Sequence, residues 1–237
     1  MARPAKRVMI DSQEIQEPPY VSQGIHYWFD EANMLEGRLL IWGPKDSVYE
    51  DMPMIYSVKF PETGYPFDPP KVLFLTNDGY TRFHPNMYKE GKVCLSILGT
   101  WDGPKWAATM HLSTVAITLL SLMDNNPIVH EPGFENRKDA ISTSYNDFVA
   151  YSSLIYLIKL IETYVNTKTL PEYMKVFEAE FLERLPTMCK SIQDRLDKAS
   201  IEKVWTTMPY SMSGSTKYSE YRARFKTVVQ KIEETKS

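Results

Sequence analysis

The feature that most constrains the fold is a change of hydrophobic period near residue 110. Before it, apolar residues come in short runs of strand character, each bounded by proline or glycine. Residues 34–42 are rich in strand formers and stop at Gly43-Pro44. Residues 55–60 alternate in the manner of a half-buried strand and are closed by Pro61. Residues 71–75 form a third run, introduced by Pro69-Pro70. After the change, Leu112, Val115, Ala116, Leu119, Leu122 and Met123 recur at i, i+3 and i+4, the spacing of a core-facing helix over 111–123. Strands followed by helices imply an α+β chain. A further strand over 26–29 would complete an antiparallel meander of about four strands, because turn-rich links favour antiparallel pairing.

The remaining elements follow from the same patterns. A short helix is expected over 6–16, ended by Pro18-Pro19. Helices are expected over 145–164, from Pro171 to Pro186, over 187–198 and over 219–236, with a loop at 208–216. The expected division is a core at 1–165 and a helical extension at 166–237. Phe177, Phe181, Leu185 and Trp205 need burial, so the extension should pack on the core.

Composition excludes several classes. The 237 residues are 43% hydrophobic and 24% charged, enough for a large core. A net charge of -3 argues against a nucleic-acid partner. The most apolar run, 149–161, is interrupted by Ser152, Ser153 and Lys159 and reads as too short for a membrane span, so no membrane partner is expected. The N-terminal residues carry no secretory pattern. Two cysteines, one apparently exposed for chemistry, suit a reducing compartment, cytoplasmic or nuclear.

Cys94 lies eight residues after Asn86, in the stretch that begins His84-Pro85-Asn86. A lone thiol between apolar neighbours, with an amide nearby, could carry an acyl group and pass it on. A thiol hydrolase would need a histidine base, and His26, His84, His111 and His130 form no protease signature. His84 and Pro85 read as structural. The other cysteine, Cys189, sits at helical spacing from Leu185 and Ile192 and reads as core or partly buried, with no catalytic role. No metal is expected, since His and Cys lack ligand spacing.

These residues resemble the ubiquitin-conjugating enzyme family over roughly 5–165. Gly43-Pro44-Lys45-Asp46-Ser47-Val48-Tyr49-Glu50 looks like its turn after the second strand. Phe60-Pro61 with Tyr65-Pro66-Phe67-Asp68-Pro69-Pro70-Lys71 looks like its proline-rich loop. His84-Pro85-Asn86 with Cys94, then Trp106 and the helix from His111, complete the order. The long Cys94–Trp106 spacing and Asn126-Pro127-Ile128-Val129-His130-Glu131-Pro132-Gly133-Phe134 are similar to the Z-type members and to the large hybrid conjugating enzyme–ligases. Asp51 stands where that family usually has glycine, one extra residue precedes Tyr65, and Ala107-Ala108-Thr109 replaces its usual Ser-Pro-Ala.

The resemblance implies a ubiquitin-conjugating fold and a transferase. Cys94 would take ubiquitin, or a related modifier, from an activating enzyme as a thioester and transfer it to a substrate lysine. ATP is spent by the activating enzyme, so no cofactor is implied. Asn86 would donate to the developing oxyanion, an effect typically on the order of 10²–10³ in rate, or would fix the loop through its backbone. Ser96, Asp124, His130 and Glu131 are the candidates around the thiol to orient and partly desolvate the incoming amine, Ser96 and Glu131 as catalytic residues and Asp124 and His130 as structural ones, and Glu131-Pro132 stands in the place of an Asp-Pro gate. Arg3, Lys6 and Arg7 would face the activating enzyme, Phe67 and Ala108 a ligase, and Ile117 the donor modifier. The alternatives are conjugation of a different ubiquitin-like modifier, or a modifier-binding module without activity.

Overall fold

A computed structural model of the chain describes residues 3–199 and 201–234. Helix α1 (Arg3–Glu14) begins ahead of the expected 6–16. Pro18-Pro19, expected only to end it, instead opens a short helix α2 (Pro18–Val21). Proline suits a first turn because the N–H it lacks would have no intrahelical acceptor there.

Strands β1 (Ile25–Asp30), β2 (Asn33–Trp42), β3 (Pro53–Lys59) and β4 (Lys71–Phe74) form one antiparallel sheet in the order β1-β2-β3-β4. Trp28 stands opposite Arg38, Leu39 opposite Tyr56 and Val58 opposite Val72. Helix α3 (Leu112–Ser121) and α1 pack on β2, burying Val8, Ile15, Leu112, Val115 and Leu119.

Helix α4 (Ala140–Thr167) outruns the expected 145–164 at both ends. Asp139 starts it, its carboxylate accepting the Ser142 N–H at 2.9 Å. It also corrects the expectation about apolar length. By length and composition α4 could cross a membrane, with an 18-residue window of mean hydropathy 1.4. The helix instead buries 67% of that window inside the protein, where Tyr145, Val149, Leu157 and Ile161 are core residues.

After residue 167 the chain wraps back onto this core. A 3₁₀ turn (Lys175–Phe177) leads into helix α5 (Glu178–Lys198). Two helices divided at Pro186 were expected; the structure has one helix running through it. Pro186 is exposed while Phe181, Met188, Ile192 and Leu196 are buried. The missing N–H therefore faces water, and the apolar stripe stays continuous across the break. The expected loop at 208–216 holds a 3₁₀ turn (Pro209–Ser211) and half of a two-stranded ribbon, β5 (Val204–Trp205) with β6 (Gly214–Ser215). The ribbon leans on α4: the Trp205 ring meets Phe148 edge-on at 5.3 Å, and a Cβ on Gly214 would come within 2.8 Å of that phenyl ring. Helix α6 (Tyr218–Glu234) packs on α4 and α5, and the last two positions of the expected 219–236 helix lie outside the described residues.

Helix α5 grips the turn between β2 and β3. Arg184 Nε lies 3.4 Å from Asp51 Oδ1, Ser191 Oγ donates to Glu50 Oε1 at 2.9 Å, and Arg195 Nη1 donates to the Glu50 carbonyl at 3.0 Å. Arg184 also covers the Trp42 ring at 5.1 Å. Residues 39–42 and 53–56, buried without alternation, lie in the strand ends that flank this turn.

Candidate active site

Residues 84–94 form a loop laid beside β4. The Phe74 N–H donates to the Gly91 carbonyl at 2.8 Å, and Met87 bridges antiparallel to Val93. Buried tyrosines hold its entrance from below: Tyr49 Oη donates to the Phe83 carbonyl at 2.7 Å and Tyr145 Oη to the Arg82 carbonyl at 2.8 Å. Burial pushes both phenols well above their ordinary value, so they remain donors.

The loop pairs Asn86 with Cys94 at both ends of one residue. The Cys94 N–H donates to the Asn86 carbonyl at 2.8 Å, and Asn86 Nδ2 donates to the Cys94 carbonyl at 2.7 Å. Asn86 Oδ1 is buried without a hydrogen-bond partner. The amide is therefore fixed beside the thiol residue and bonded to its backbone. Pro85 is buried. His84 Nδ1 accepts the Asn86 N–H at 3.0 Å, so the proton of a neutral ring sits on Nε2. Burial, reinforced by His130, lowers the His84 pKa to about 3. His84 is thus neutral and bonded to the backbone of the turn.

Cys94 corrects an expectation. It was read as exposed, yet it is only 2% exposed. Its neighbours Val93, Leu95 and Met87 are core residues, and Thr100 folds back over the same segment, accepting the Leu95 N–H at 2.9 Å and donating to the Val93 carbonyl at 2.7 Å.

The other anticipated residues divide. Ser96 is half-buried in the 3₁₀ turn (Ser96–Leu98) that follows the thiol. It faces the long 99–106 segment, where Gly103, at φ 128°, comes so near that a Cβ would stand 3.1 Å from that of Ser96. Asp124 Oδ2 lies 3.1 Å from His130 Nε2, and the rings of His130 and His84 are 5.0 Å apart. Burial alone would raise the Asp124 pKa, but the His130 and Asn126 hydrogen bonds hold it below its ordinary value. Glu131 accepts a hydrogen bond from Tyr210 Oη at 2.6 Å.

Of the residues assigned to partners, Phe67 is 75% and Ile117 37% exposed, and Lys6 faces solvent. Ala108 is half-buried. Arg3 begins α1, and its side chain lies outside the described residues. Arg7 is not a free charge: it donates to the Ala108 carbonyl at 3.0 Å, the Met110 carbonyl at 2.6 Å and Asp11 at 2.8 Å. Asp11, Glu14 and His111 bring three potential metal-ligand atoms within 4.8 Å. Asp11 is already bonded to Arg7, Tyr65 Oη and the Leu112 N–H, so a guanidinium supplies the positive charge there.

Two site residues had escaped the sequence patterns. Arg82 donates to the Pro85 and His84 carbonyls and lies over the rings of Tyr88 and Tyr210 at 3.4 and 4.4 Å. Tyr210 comes from the tail. A lone arginine near His84 carries no motif, and no local pattern marks a partner more than a hundred residues away.

The chain is similar to "Ubiquitin-conjugating enzyme E2 Z" of Xenopus tropicalis, 32% identical over 231 residues, 92% of this chain and 68% of that one. It is similar to the human protein of the same description, 35% identical over 191 residues, 76% of this chain and 53% of that one. It is also 39% identical over 115 residues to the human "Dual E2 ubiquitin-conjugating enzyme/E3 ubiquitin-protein ligase BIRC6", covering 46% of this chain and 2% of that one. The chain thus spans about two thirds of the frog relative and about half of the human one. The family model described as "Ubiquitin-conjugating enzyme" matches residues 7–153, which include the sheet, the Asn86–Cys94 pair and Glu131, and on this ground the chain belongs to the ubiquitin-conjugating enzyme family.

Proposed function

We propose that Cys94 accepts the C-terminus of ubiquitin as a thioester from an activating enzyme and that the chain transfers it to a substrate lysine. The observation that carries this reading is the reciprocal pairing of Asn86 with Cys94. It sets a carboxamide at the one loop thiol of the protein, with one amide N–H beyond that spent on the Cys94 carbonyl. As an amine attacks the thioester, negative charge grows on the acyl oxygen, and a pre-placed amide can stabilise it. Sulfur is a good leaving group, so the amide product forms without a further nucleophile. His84 is held neutral by burial and spends Nδ1 on the Asn86 N–H. It therefore serves as a strut, which favours transfer over hydrolysis by a Cys–His pair.

The test is a charging assay with activating enzyme, ATP and ubiquitin. The expected result is an adduct removed by reducing agent. Cys94→Ser should replace it with a reductant-resistant ester or abolish it. An unreduced lane without adduct would refute the reading, and the same assay with other ubiquitin-like modifiers identifies a different cargo.

A further inference from the structure

We propose that Tyr210, carried by the C-terminal extension, is a positioning residue for amine attack at Cys94. In this arrangement its hydroxyl orients Glu131 and its ring holds Arg82 against the His84-Pro85-Asn86 turn. The inference rests on the thioester reading of Cys94 given above.

Three observations meet at this residue. First, Tyr210 Oη donates to Glu131 Oε2 at 2.6 Å. A carboxylate has two oxygens, so this bond leaves Oε1 open to a second donor. Burial, and then the Glu131 bond, raise the Tyr210 pKa above its ordinary value, so the phenol stays protonated. Second, the Arg82 guanidinium lies 3.4 Å from the Tyr88 ring centre and 4.4 Å from that of Tyr210, and it donates to the Pro85 and His84 carbonyls. The tail ring is one jaw of a clamp on the turn that holds Asn86. Third, Tyr210 and the next residue, Ser211, adopt φ of 62° and 57°. Left-handed backbone is strained for a non-glycine residue, and it persists where surrounding contacts over-determine it. Those contacts are present. Met212 Sδ accepts the Arg82 N–H at 3.3 Å, Tyr80 Oη donates to the Ser213 carbonyl at 2.8 Å, and the Tyr145 ring meets Tyr210 at 5.6 Å.

Glu131 directly follows His130, whose ring lies 5.0 Å from that of His84. The carboxylate is joined to the His84-Pro85-Asn86 turn through Tyr210, whose ring lies against Arg82, and Arg82 donates to the Pro85 carbonyl. In the transfer step the lysine nitrogen bonds to the thioester carbonyl carbon, and the C–S bond breaks with its electron pair left on Cys94 Sγ. On going from ammonium to amide the nitrogen sheds two protons. One passes to Glu131 Oε1 and on to water; the other returns to the departing thiolate. An oriented carboxylate matters only for an acceptor that arrives protonated, as lysine does.

That distinction supplies the test. The full chain, charged on Cys94, is discharged in single turnover at pH 7 with free lysine or with hydroxylamine, a nucleophile largely unprotonated there. Tyr210→Phe keeps the ring and removes only the hydroxyl. It should slow lysine discharge about five- to tenfold and leave hydroxylamine discharge unchanged. Glu131→Gln should slow lysine discharge at least as much, and the double variant should be no slower than Glu131→Gln alone. Tyr210→Ala, which also releases Arg82, should slow both nucleophiles. Tyr210→Phe with wild-type lysine discharge, or slowed equally toward both nucleophiles, overturns the proposal. A wild-type chain that never charges overturns the reading of Cys94 itself.

Discussion

Asp51 has a left-handed backbone, φ 61°, and a buried side chain facing Arg184 of α5 at 3.4 Å. A glycine there would save about 1–2 kcal/mol of backbone strain and lose roughly 0.5–1 kcal/mol to a floppier unfolded chain. It would also lose the ion pair. With an effective dielectric near 20 the bare attraction at this distance is about 5 kcal/mol. Desolvation consumes most of it, and Arg184 is 35% exposed, leaving a net of roughly 1–2 kcal/mol. Asp51→Gly should therefore fall within about 1 kcal/mol of wild type. Arg184→Ala should not. It leaves a carboxylate with 9% side-chain exposure unpaired, costing about 3 kcal/mol, plus about 0.5 kcal/mol for the lost contact over Trp42. In the Asp51→Gly background only that last contact is lost. The coupling in a double-mutant cycle should be about 3 kcal/mol, measured by urea unfolding with unchanged m-values. An equal cost of Arg184→Ala in both backgrounds would show that Asp51 does not need its partner.

Three further expectations can be checked directly. His84, with its pKa lowered from 6.5 to about 3 by burial and then by His130, contributes stability that is fully present above pH 6.5 and declines as pH falls toward 3. Between pH 6.5 and 5 that decline is about 2 kcal/mol, and NMR should show its imidazole neutral throughout; a protonated ring at pH 6 would contradict this. Pro186→Ala restores a hydrogen bond on the exposed side of α5 and should raise stability by about 1–2 kcal/mol in thermal unfolding. Cys94, at 2% exposure, should react with iodoacetamide at least about tenfold more slowly in the native chain than in urea, and equal rates would disprove its burial.

The sheet was legible because each strand is a local pattern bounded by a local stop. Gly43-Pro44, Pro61 and Pro69-Pro70 mark where strands end or begin whatever packs on them. Residues 84–94 were legible as a unit because Asn86 and Cys94 lie on one short loop, and their pairing needs only that loop. Cys94 was misread as exposed because burial depends on what folds over the residue, here including Thr100 and the core side chains Met87, Val93 and Leu95. Pro186 was misread as a stop because proline's cost depends on which side of the helix it faces, and Met188, Ile192 and Leu196 settle that only once packed. Arg7 looked like a surface charge because its acceptors, the Ala108 and Met110 carbonyls, lie about a hundred residues further along the chain.

Asp51 and Glu131, both within residues 1–165, are among the acidic residues that find partners in the tail, at Arg184 and Tyr210. The first has a left-handed backbone, and its charge makes sense only with α5 in place. The tail should thus be part of the folded body. Phe177, Phe181, Met188, Ile192, Leu196 and Phe225 are all 1% exposed or less, each contributing about 1.5–3 kcal/mol of burial. They cover surface that residues 1–165 would otherwise leave in water: Tyr164 packs on Phe181 at 5.1 Å, Tyr151 on Tyr218 at 5.2 Å and Phe148 on Trp205 at 5.3 Å. Ending the chain at residue 167 strips those aromatic faces and leaves Asp51 without its cation. Such a truncation should unfold at a clearly lower temperature than the full chain, or aggregate through the uncovered face. Partial proteolysis of the full chain should cut at the ends before it cuts within α5. A truncated chain that melts at the full-length temperature would mean that the tail rests on the core without stabilising it, and that Asp51 keeps its backbone strain for some reason other than Arg184.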